Sequence, residues 1–301
     1  MTRRCIEEFP AEVLKLFDAY IHGVLSRRGF LERAARHAAG MAGAAAMLAA
    51  LTPDYALAAE VATDDPRVAA SYVSYDVARS GDTIRGYLVH PAQVKGPWSG
   101  IVVVHENRGL NPYIEDVARR LAVAGYVAFA PDALTPLGGY PGNEDEAMRR
   151  FAALDPVKRT ADLLAAVPFL ESRPECNGRV GALGFCYGGG IVNLMAVHFP
   201  RLAAVVSFYG IQPSAADTAR IRAPLMLHYA GDDARVDEGW PAWKAALDAN
   251  HVRYREYMYA GAGHGFHNDT TPRYDAAAAK LAWSRSLDFF AHNLGRAAAE
   301  R

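Results

Sequence analysis

The sequence predicts an α/β fold in which a mostly parallel sheet is covered by helices on both faces. The first observation is residues 101–104, which are apolar at every position, as a strand buried on both faces requires. The second is the helical apolar pattern of residues 114–124, which ends at Gly125. The third is that strand and helix patterns alternate along the chain as far as a last amphipathic helix.

Each predicted strand is a short apolar run bounded by turn residues. Residues 72–77 and 83–89 flank Ser80-Gly81-Asp82, which predicts a hairpin. Further strands are predicted at residues 101–104, 126–130, 180–185, 203–209, 225–229 and 254–259. The last helix carries one apolar stripe, formed by Trp283, Leu287, Phe290 and Leu294.

Composition excludes several classes of protein. The chain has 32 Lys and Arg against 33 Asp and Glu, a net charge of −1, which gives no basic field for nucleic acid. Its three cysteines include no C-x-x-C pair, so a zinc module is not expected. The longest apolar run falls short of the roughly 20 residues that span a bilayer, so we expect no stable membrane insertion.

The N-terminal residues have the pattern of an export signal. Ser26-Arg27-Arg28-Gly29-Phe30-Leu31 is followed by an Ala-rich run at 38–51 and by Ala56-Leu57-Ala58. The paired arginines before Phe-Leu resemble the twin-arginine signal. We therefore expect residues 1–58 to be a cleaved signal, 59–301 to be one domain, and the export machinery to deliver the protein to the periplasm or beyond. A structural Gly/Ala-rich helix after a chance arginine pair is the alternative, and the amphipathic pattern at 9–24 is unusual before such a signal.

A strand-to-helix turn carries the candidate nucleophile. Gly184-Phe185-Cys186-Tyr187-Gly188 follows the strand at 180–185 and precedes a helix. This is a G-x-nucleophile-x-G elbow with Cys186 in the usual serine position. The start of the helix would favour the thiolate over the thiol. A buried structural cysteine is the alternative.

An acid and a base follow later strands. Asp233 fits a D-x-x-V pattern after the strand at 225–229, with Asp232 as its rival. His264 stands between glycines after the strand at 254–259, with His267 as the alternative base or a core histidine. The pair His264 and His267 has no third ligand at useful spacing, so no metal is expected. The order nucleophile, acid, base is that of the α/β-hydrolase fold.

The loop after the strand at 101–104 supplies further candidates. In this fold one oxyanion N–H comes from that loop and the other from the residue after the nucleophile, which here are Asn107 and Tyr187. Glu106 lies at the same strand end. Its carboxylate is placed to accept a hydrogen bond or a proton from Cys186.

Four motifs resemble the dienelactone hydrolase family: H-E-N-R-G-L-N at 105–111, G-F-C-Y-G-G-G at 184–190, D-D-A-R-V at 232–236 and G-A-G-H-G-F at 261–266. The resemblance implies a Cys186–His264–Asp233 triad with Glu106 beside the cysteine. It also implies hydrolysis of a small ester or enol-lactone without metal or organic cofactor. One departure is Asn268, which stands where the family has an arginine for the substrate carboxylate. Candidate replacements are Arg108, Arg149, Arg150, Arg235 and Arg273.

Two other functions are compatible with these residues: a redox-active thiol protein, or a catalytically silent scaffold that binds a ligand. The redox function needs a second cysteine near Cys186. Cys176 lies at the other end of the predicted strand, beyond the roughly 7 Å Cα limit of a disulfide. Burial and Glu106 are expected to keep Cys186 protonated until substrate arrives. The complete set of candidate groups favours a hydrolase.

Overall fold

An eight-stranded sheet forms the centre of the computed structural model, which describes residues 6–58 and 60–295. Its strands are β1 Val68–Val77, β2 Asp82–Pro91, β3 Trp98–Val104, β4 Val127–Pro131, β5 Cys176–Phe185, β6 Ala204–Phe208, β7 Leu225–Ala230 and β8 Tyr254–Tyr259. They lie in the order β1-β2-β4-β3-β5-β6-β7-β8.

Most strand pairs in the sheet are parallel. β1 and β2 form the predicted antiparallel hairpin, and β2 also pairs antiparallel with β4. The five pairs from β4–β3 to β7–β8 are parallel. Every residue of β3 is buried, as its uninterrupted apolar sequence requires. The predicted α/β-hydrolase fold with a mostly parallel sheet is confirmed.

Helices cover both faces of the sheet. The α-helices are α1 Ala11–Ile21, α2 Arg27–Ala34, α3 Gly40–Leu51, α4 Pro112–Val123, α5 Glu144–Ala153, α6 Pro156–Leu164, α7 Ala166–Glu171, α8 Tyr187–His198, α9 Ala215–Thr218, α10 Ala234–Asp237, α11 Trp240–Ala249 and α12 Ala276–Leu294. The predicted stripe of α12 faces the core, with Phe290 and Leu294 buried and Trp283 and Leu287 packed at its edge. None of the helices in the described residues is both long and apolar enough to cross a membrane.

The N-terminal residues 6–58, here called the cap, are folded and have an apolar core of their own. This core is formed by Phe9, Val13, Phe17, Tyr20, Leu25, Phe30, Ala34, Ala44, Leu48 and Leu51. Phe30 of the arginine motif is fully buried in it. Arg27 forms an ion pair with Asp145 of α5, so the cap is attached to the sheet domain through that motif.

The prediction that residues 1–58 are an export signal is not tested by this packing. Cleavage after Ala58 would remove the whole cap from the chain. Ala59, on the far side of that bond, and residues 1–5 lie outside the described residues. The two-part division at residue 58 stays a prediction.

Candidate active site

The turn between β5 and α8 places Cys186 in a strained backbone conformation. Cys186 has φ 53° and ψ −115°, a region that residues with a Cβ rarely adopt. Two glycines make the turn possible. A Cβ on Gly184 would lie 2.1 Å from the Gly188 carbonyl oxygen, and one on Gly188 would lie 2.2 Å from the Val104 oxygen. The predicted elbow is therefore present, with the sulfur at the start of α8.

An imidazole and a carboxylate are arranged behind the sulfur. Nδ1 of His264 lies 2.5 Å from Oδ2 of Asp233, and both side chains are buried. Nε2 of His264 is buried and has no hydrogen-bond partner among the described residues, which leaves it free for Cys186. Asp232, the rival acid, is exposed. The geometry brings together the three residues that the sequence selects.

The surroundings of the sulfur favour the thiolate over the thiol. Burial raises the pKa of the Cys186 thiol, but the positive imidazoles of His264 and His22 outweigh burial and bring this pKa well below its ordinary value. Burial lowers the pKa of His264, but the Cys186 charge and Asp233 raise it to about 10. The direction of this shift is opposite to the expectation of a protonated resting cysteine, because positive imidazoles face the sulfur and favour its charged form.

Glu106 is half-buried and lines the cavity that also contains Cys186 and His264. Burial raises the pKa of its carboxyl group, and the negative charge of Cys186 raises it further. Its Oε2 accepts a hydrogen bond of 3.1 Å from Nδ2 of Asn268. Asn268, which stands where the family has an arginine, thus contacts Glu106 through a hydrogen bond and not through an ion pair.

The two predicted oxyanion residues both lie near Cys186. Tyr187 is the first residue of α8, directly after the nucleophile, and Asn107 lies in the loop after β3. Asn107 and Cys186 line the same two cavities. The side chain of Asn107 points to the cap, because its Nδ2 donates to the Ile21 carbonyl oxygen at 2.7 Å.

The candidate arginines have different positions. Arg108, Arg235 and Arg273 each line a cavity with Cys186, but Arg108 is buried and bonds to Asn107 and the cap. Arg273 donates to the His264 carbonyl oxygen at 3.0 Å. Arg149 is wrong as a substrate-binding candidate: its side chain is 74% exposed on α5, pairs with Glu146 and lines neither cavity. Arg150 pairs with the same glutamate and is likewise outside the cavities.

Two cavities reach Cys186, and the cap forms a wall of both. The larger has a volume of about 350 Å³ and is lined by α5, α6 and Arg235. The other lies between the cap and the residues Glu106, His264 and Asn268. His22 lines both cavities and stands at their junction with Cys186. The site is thus enclosed by residues that the sequence assigns to a signal.

Sequence reasoning missed three residues at this site. Tyr209 ends β6 with φ 39°, and its ring centroid lies 4.9 Å from that of His264. Its position at the carboxyl end of a strand next to β5 was a usable signal, because such ends meet at one edge of a parallel sheet. His22 and Asp18 form an i,i+4 pair on α1, but nothing in the sequence places α1 beside Cys186.

The remaining histidine and cysteine alternatives are structural. Nδ1 of His267 lies 2.7 Å from the Tyr113 hydroxyl, and burial holds its pKa well below the ordinary value. Cys176 begins β5 and Cys186 follows its end, and both are free cysteines. Cys176 therefore does not serve as a redox partner in this conformation.

Among the described residues, His22, Cys186 and His264 bring one sulfur and two ring nitrogens within 4.8 Å of one another. Thiolate and imidazole are donors that suit zinc. However, Nη2 of Arg235 lies 3.0 Å from Nε2 of His22, so a cation there would face a guanidinium. We assign no metal to this site.

The thiolate predicts an alkylation profile that differs from that of a free cysteine. An ordinary thiol, with a pKa near 8.5, loses about tenfold in rate for each pH unit below that value. We expect Cys186 to react with iodoacetamide at a nearly constant rate from about pH 9 down to about pH 6, because its pKa is depressed. Peptide mass spectrometry measures this rate, with Cys176, whose pKa burial raises, as the internal control. A Cys186 midpoint near 8.5 would contradict the thiolate.

Comparison with known proteins agrees with this geometry. The dienelactone hydrolase family model matches residues 84–294, and a YqhI-like family model matches residues 1–39. An Escherichia coli K12 protein named "Putative carboxymethylenebutenolidase" is 32% identical over 76% of this chain and 89% of its own length. Another from that strain, "Putative hydrolase fragment YghX", is 52% identical over 38% of this chain and 97% of its own.

The solved structures include a "Putative Dienelactone Hydrolase" from Klebsiella pneumoniae. It aligns with a TM-score of 0.66 and 27% identity over 74% of this chain and 99% of its own. The matched residues include the elbow, the loop after β3, and both residues behind the sulfur. The chain therefore belongs to the dienelactone hydrolase family and is a hydrolase of lactone or ester substrates.

Proposed function

We propose that the protein hydrolyses a carboxylic ester or lactone through a Cys186–His264–Asp233 triad and a thioester intermediate. The observation that carries this proposal is the Asp233–His264 contact behind a cysteine in a left-handed elbow. The buried Asp233 carboxylate orients the imidazole and stabilises its positive form. The depressed pKa of Cys186 supplies the nucleophile in its reactive state.

In the acylation half-reaction, the Cys186 thiolate attacks the carbonyl carbon. The new C–S bond forms as the carbonyl π electrons move to oxygen. The N–H groups of Asn107 and Tyr187 are assigned to this oxyanion. When the C–O bond to the leaving group breaks, the His264 imidazolium gives its proton to the departing oxygen.

In the deacylation half-reaction, water cleaves the thioester. His264, now neutral, takes a proton from the water as it attacks the acyl carbon. Collapse of the second tetrahedral intermediate breaks the C–S bond and releases the acid. The thiolate and the imidazolium are thereby restored, so the cycle needs no metal or organic cofactor.

A small substrate with an acidic group suits the larger cavity. Its volume of about 350 Å³ is at the lower end for small-molecule sites. Arg235 and Arg159 both line this cavity, but Arg159 is half-buried and already donates to the Tyr187 hydroxyl and the Phe151 carbonyl oxygen. The exposed Arg235 can therefore take the role of the family's arginine, whose position Asn268 occupies. We assign the substrate carboxylate to Arg235, while Arg108, which is buried and already bonded, has a structural role.

Removal of the nucleophile tests the proposal. We expect Cys186→Ala to lower turnover of p-nitrophenyl acetate by at least about 10³-fold, because no other group forms the thioester. Its melting temperature should change by only a few degrees, since the side chain is small and His264 becomes neutral without its partner. Cys176→Ala, at the other free cysteine, is the matched control and should keep its turnover and its sensitivity to iodoacetamide. Turnover by Cys186→Ala would overturn the triad.

Removal of the Glu106 carboxylate tests whether this residue takes part in catalysis. Glu106→Gln keeps the size of the side chain and an acceptor for Asn268. The raised pKa of Glu106 lets its carboxyl group exchange a proton with Cys186 during the cycle, so we expect kcat to fall about 10²-fold, the scale of general acid–base assistance, with little change in KM. Steady-state kinetics on an aryl ester measure both. Turnover equal to that of the unchanged enzyme would reduce Glu106 to a packing role.

We also propose, from the arginine motif alone, that the chain is exported through the twin-arginine machinery. Intact-mass analysis of the protein in each fraction of disrupted cells measures its location and whether it has been cleaved. A signal cleaved after Ala58 gives a periplasmic product that begins at residue 59. A full-length protein found only inside the cell contradicts export. Phe30, a part of the motif, is buried in the folded chain, so export would require the cap to be presented in another arrangement.

A further inference from the structure

The cap contacts the catalytic loop through the end of α1. The Ile21 carbonyl oxygen accepts hydrogen bonds from Asn107 at 2.7 Å and from Arg108 at 3.4 Å. The Tyr20 hydroxyl donates to Asp145 of α5. These contacts hold the residue that follows α1, which is His22, above the elbow.

His22 directs one ring nitrogen at the catalytic sulfur. Its Nε2 lies 3.8 Å from Sγ of Cys186, and its ring centroid lies 4.8 Å from that of His264. Its Nδ1 lies 2.8 Å from the Asp18 carbonyl oxygen and 3.2 Å from the Asp18 carboxylate. Two carboxylate–imidazole pairs therefore meet at one sulfur: Asp233–His264 from the sheet domain and Asp18–His22 from the cap.

Nε2 of His22 has two neighbours that favour opposite protonation states of this nitrogen. The Cys186 thiolate favours a proton on this nitrogen, because an N–H can donate to sulfur. The guanidinium of Arg235, 3.0 Å away, favours an unprotonated Nε2, because its N–H can then donate to the nitrogen lone pair. Asp18 holds the proton on Nδ1 in either case, so the carboxylate fixes the ring while the charge at Cys186 decides the state of Nε2.

We propose that the cap is part of the active site and that Asp18–His22 positions the Cys186 thiolate between His264 and the larger cavity. This inference rests on the proposed function, because it assigns a role only to a nucleophilic Cys186. It requires a chain that keeps residues 1–58, so it and the cleavage of an export signal after Ala58 exclude each other. His22 donates to the thiolate in the resting enzyme. When Cys186 becomes acylated and loses its charge, Arg235 becomes the stronger partner of Nε2.

The groups around the two side chains are consistent with this role. Cys186 faces His264 and His22, with the Glu106 carboxylate in the same cavity. His22 faces Asp18 on α1, Arg235 on α10, and the ring of His264. Burial lowers the pKa of His22, but Asp18 and Cys186 raise it above the ordinary value, which favours a positive ring beside the thiolate. Arg273 acts at a greater distance on Asp18 and Glu106.

The test uses the full chain and point variants. His22→Ala removes the second imidazole, His22→Gln keeps a donor without the charge, and Asp18→Asn removes the carboxylate that orients the ring. His37→Ala is the matched control, because His37 is an exposed histidine of the same cap. Circular dichroism and melting temperature check the fold of each variant. The readouts are the pH midpoint of Cys186 alkylation and the kcat and KM for p-nitrophenyl acetate.

For His22→Ala we expect the alkylation midpoint to move up by about one pH unit, the scale of one opposite charge within a few ångströms. Its kcat should fall about tenfold, with KM changed less. His22→Gln should recover part of kcat but not the midpoint, and Asp18→Asn should shift both readouts in the same direction as His22→Ala. His37→Ala should match the unchanged chain in both.

Two results would overturn the inference. One is a folded His22→Ala enzyme with the original midpoint and kcat; if that variant does not fold, the same result for His22→Gln and Asp18→Asn decides. The other is that the enzyme isolated from cells lacks residues 1–58 and still has the full turnover of the intact chain. Both differ from failure of the proposed function, in which Cys186→Ala itself would still hydrolyse the ester.

Discussion

The chemistry of the site depends on the backbone turn that joins β5 to α8. Its left-handed residue, Cys186, is possible because Gly184 and Gly188 let the chain pass within contact distance of itself and of β3. The turn places the sulfur at the carboxyl edge of the sheet, at the positive end of α8. Parallel strands end at that same edge, so the loops after β7 and β8 deliver Asp233 and His264 to the sulfur. A side chain at either glycine would displace the strand–helix joint and, with it, every distance in the site.

A buried thiolate is stable here only because opposite charges surround it. Taking a lone charged sulfur out of water would cost several kcal/mol, and unpaired it would take up a proton instead. His264 and His22 supply positive charge at the sulfur, and each imidazole has a carboxylate behind it, Asp233 or Asp18. The set of ionised groups is therefore nearly neutral as a whole. Removal of any member would change the charge state of the others, because all of them interact across a few ångströms of protein interior.

The strand positions, the elbow and the candidate Cys186 could be predicted, because each depends on local sequence: apolar runs, turn glycines and a nucleophile between them. The choice of Asp233 over Asp232 follows from which carboxylate the loop after β7 turns inward, and the sequence indicates this only through the spacing to Val236. The arginines could not be placed. Arg149 and Arg235 both follow polar stretches, but one lies on the outer face of α5 and the other at the cavity, which depends on how distant elements pack.

The cap shows why composition alone does not separate an export signal from a packed segment. A weakly apolar helix of Ala, Gly and Leu is compatible with an export signal and with a packed segment. What makes the segment pack here is α1, because its Val13 and Phe17 supply the apolar surface that α2 and α3 cover. Because the cap has its own core and also bonds to the loop that carries Asn107, its docking and the state of Cys186 are linked. If the docked cap favours the thiolate through His22, then by reciprocity the thiolate favours the docked cap by the same free energy. Acylation would remove that charge and weaken the attachment while the thioester is present, and deacylation would restore both.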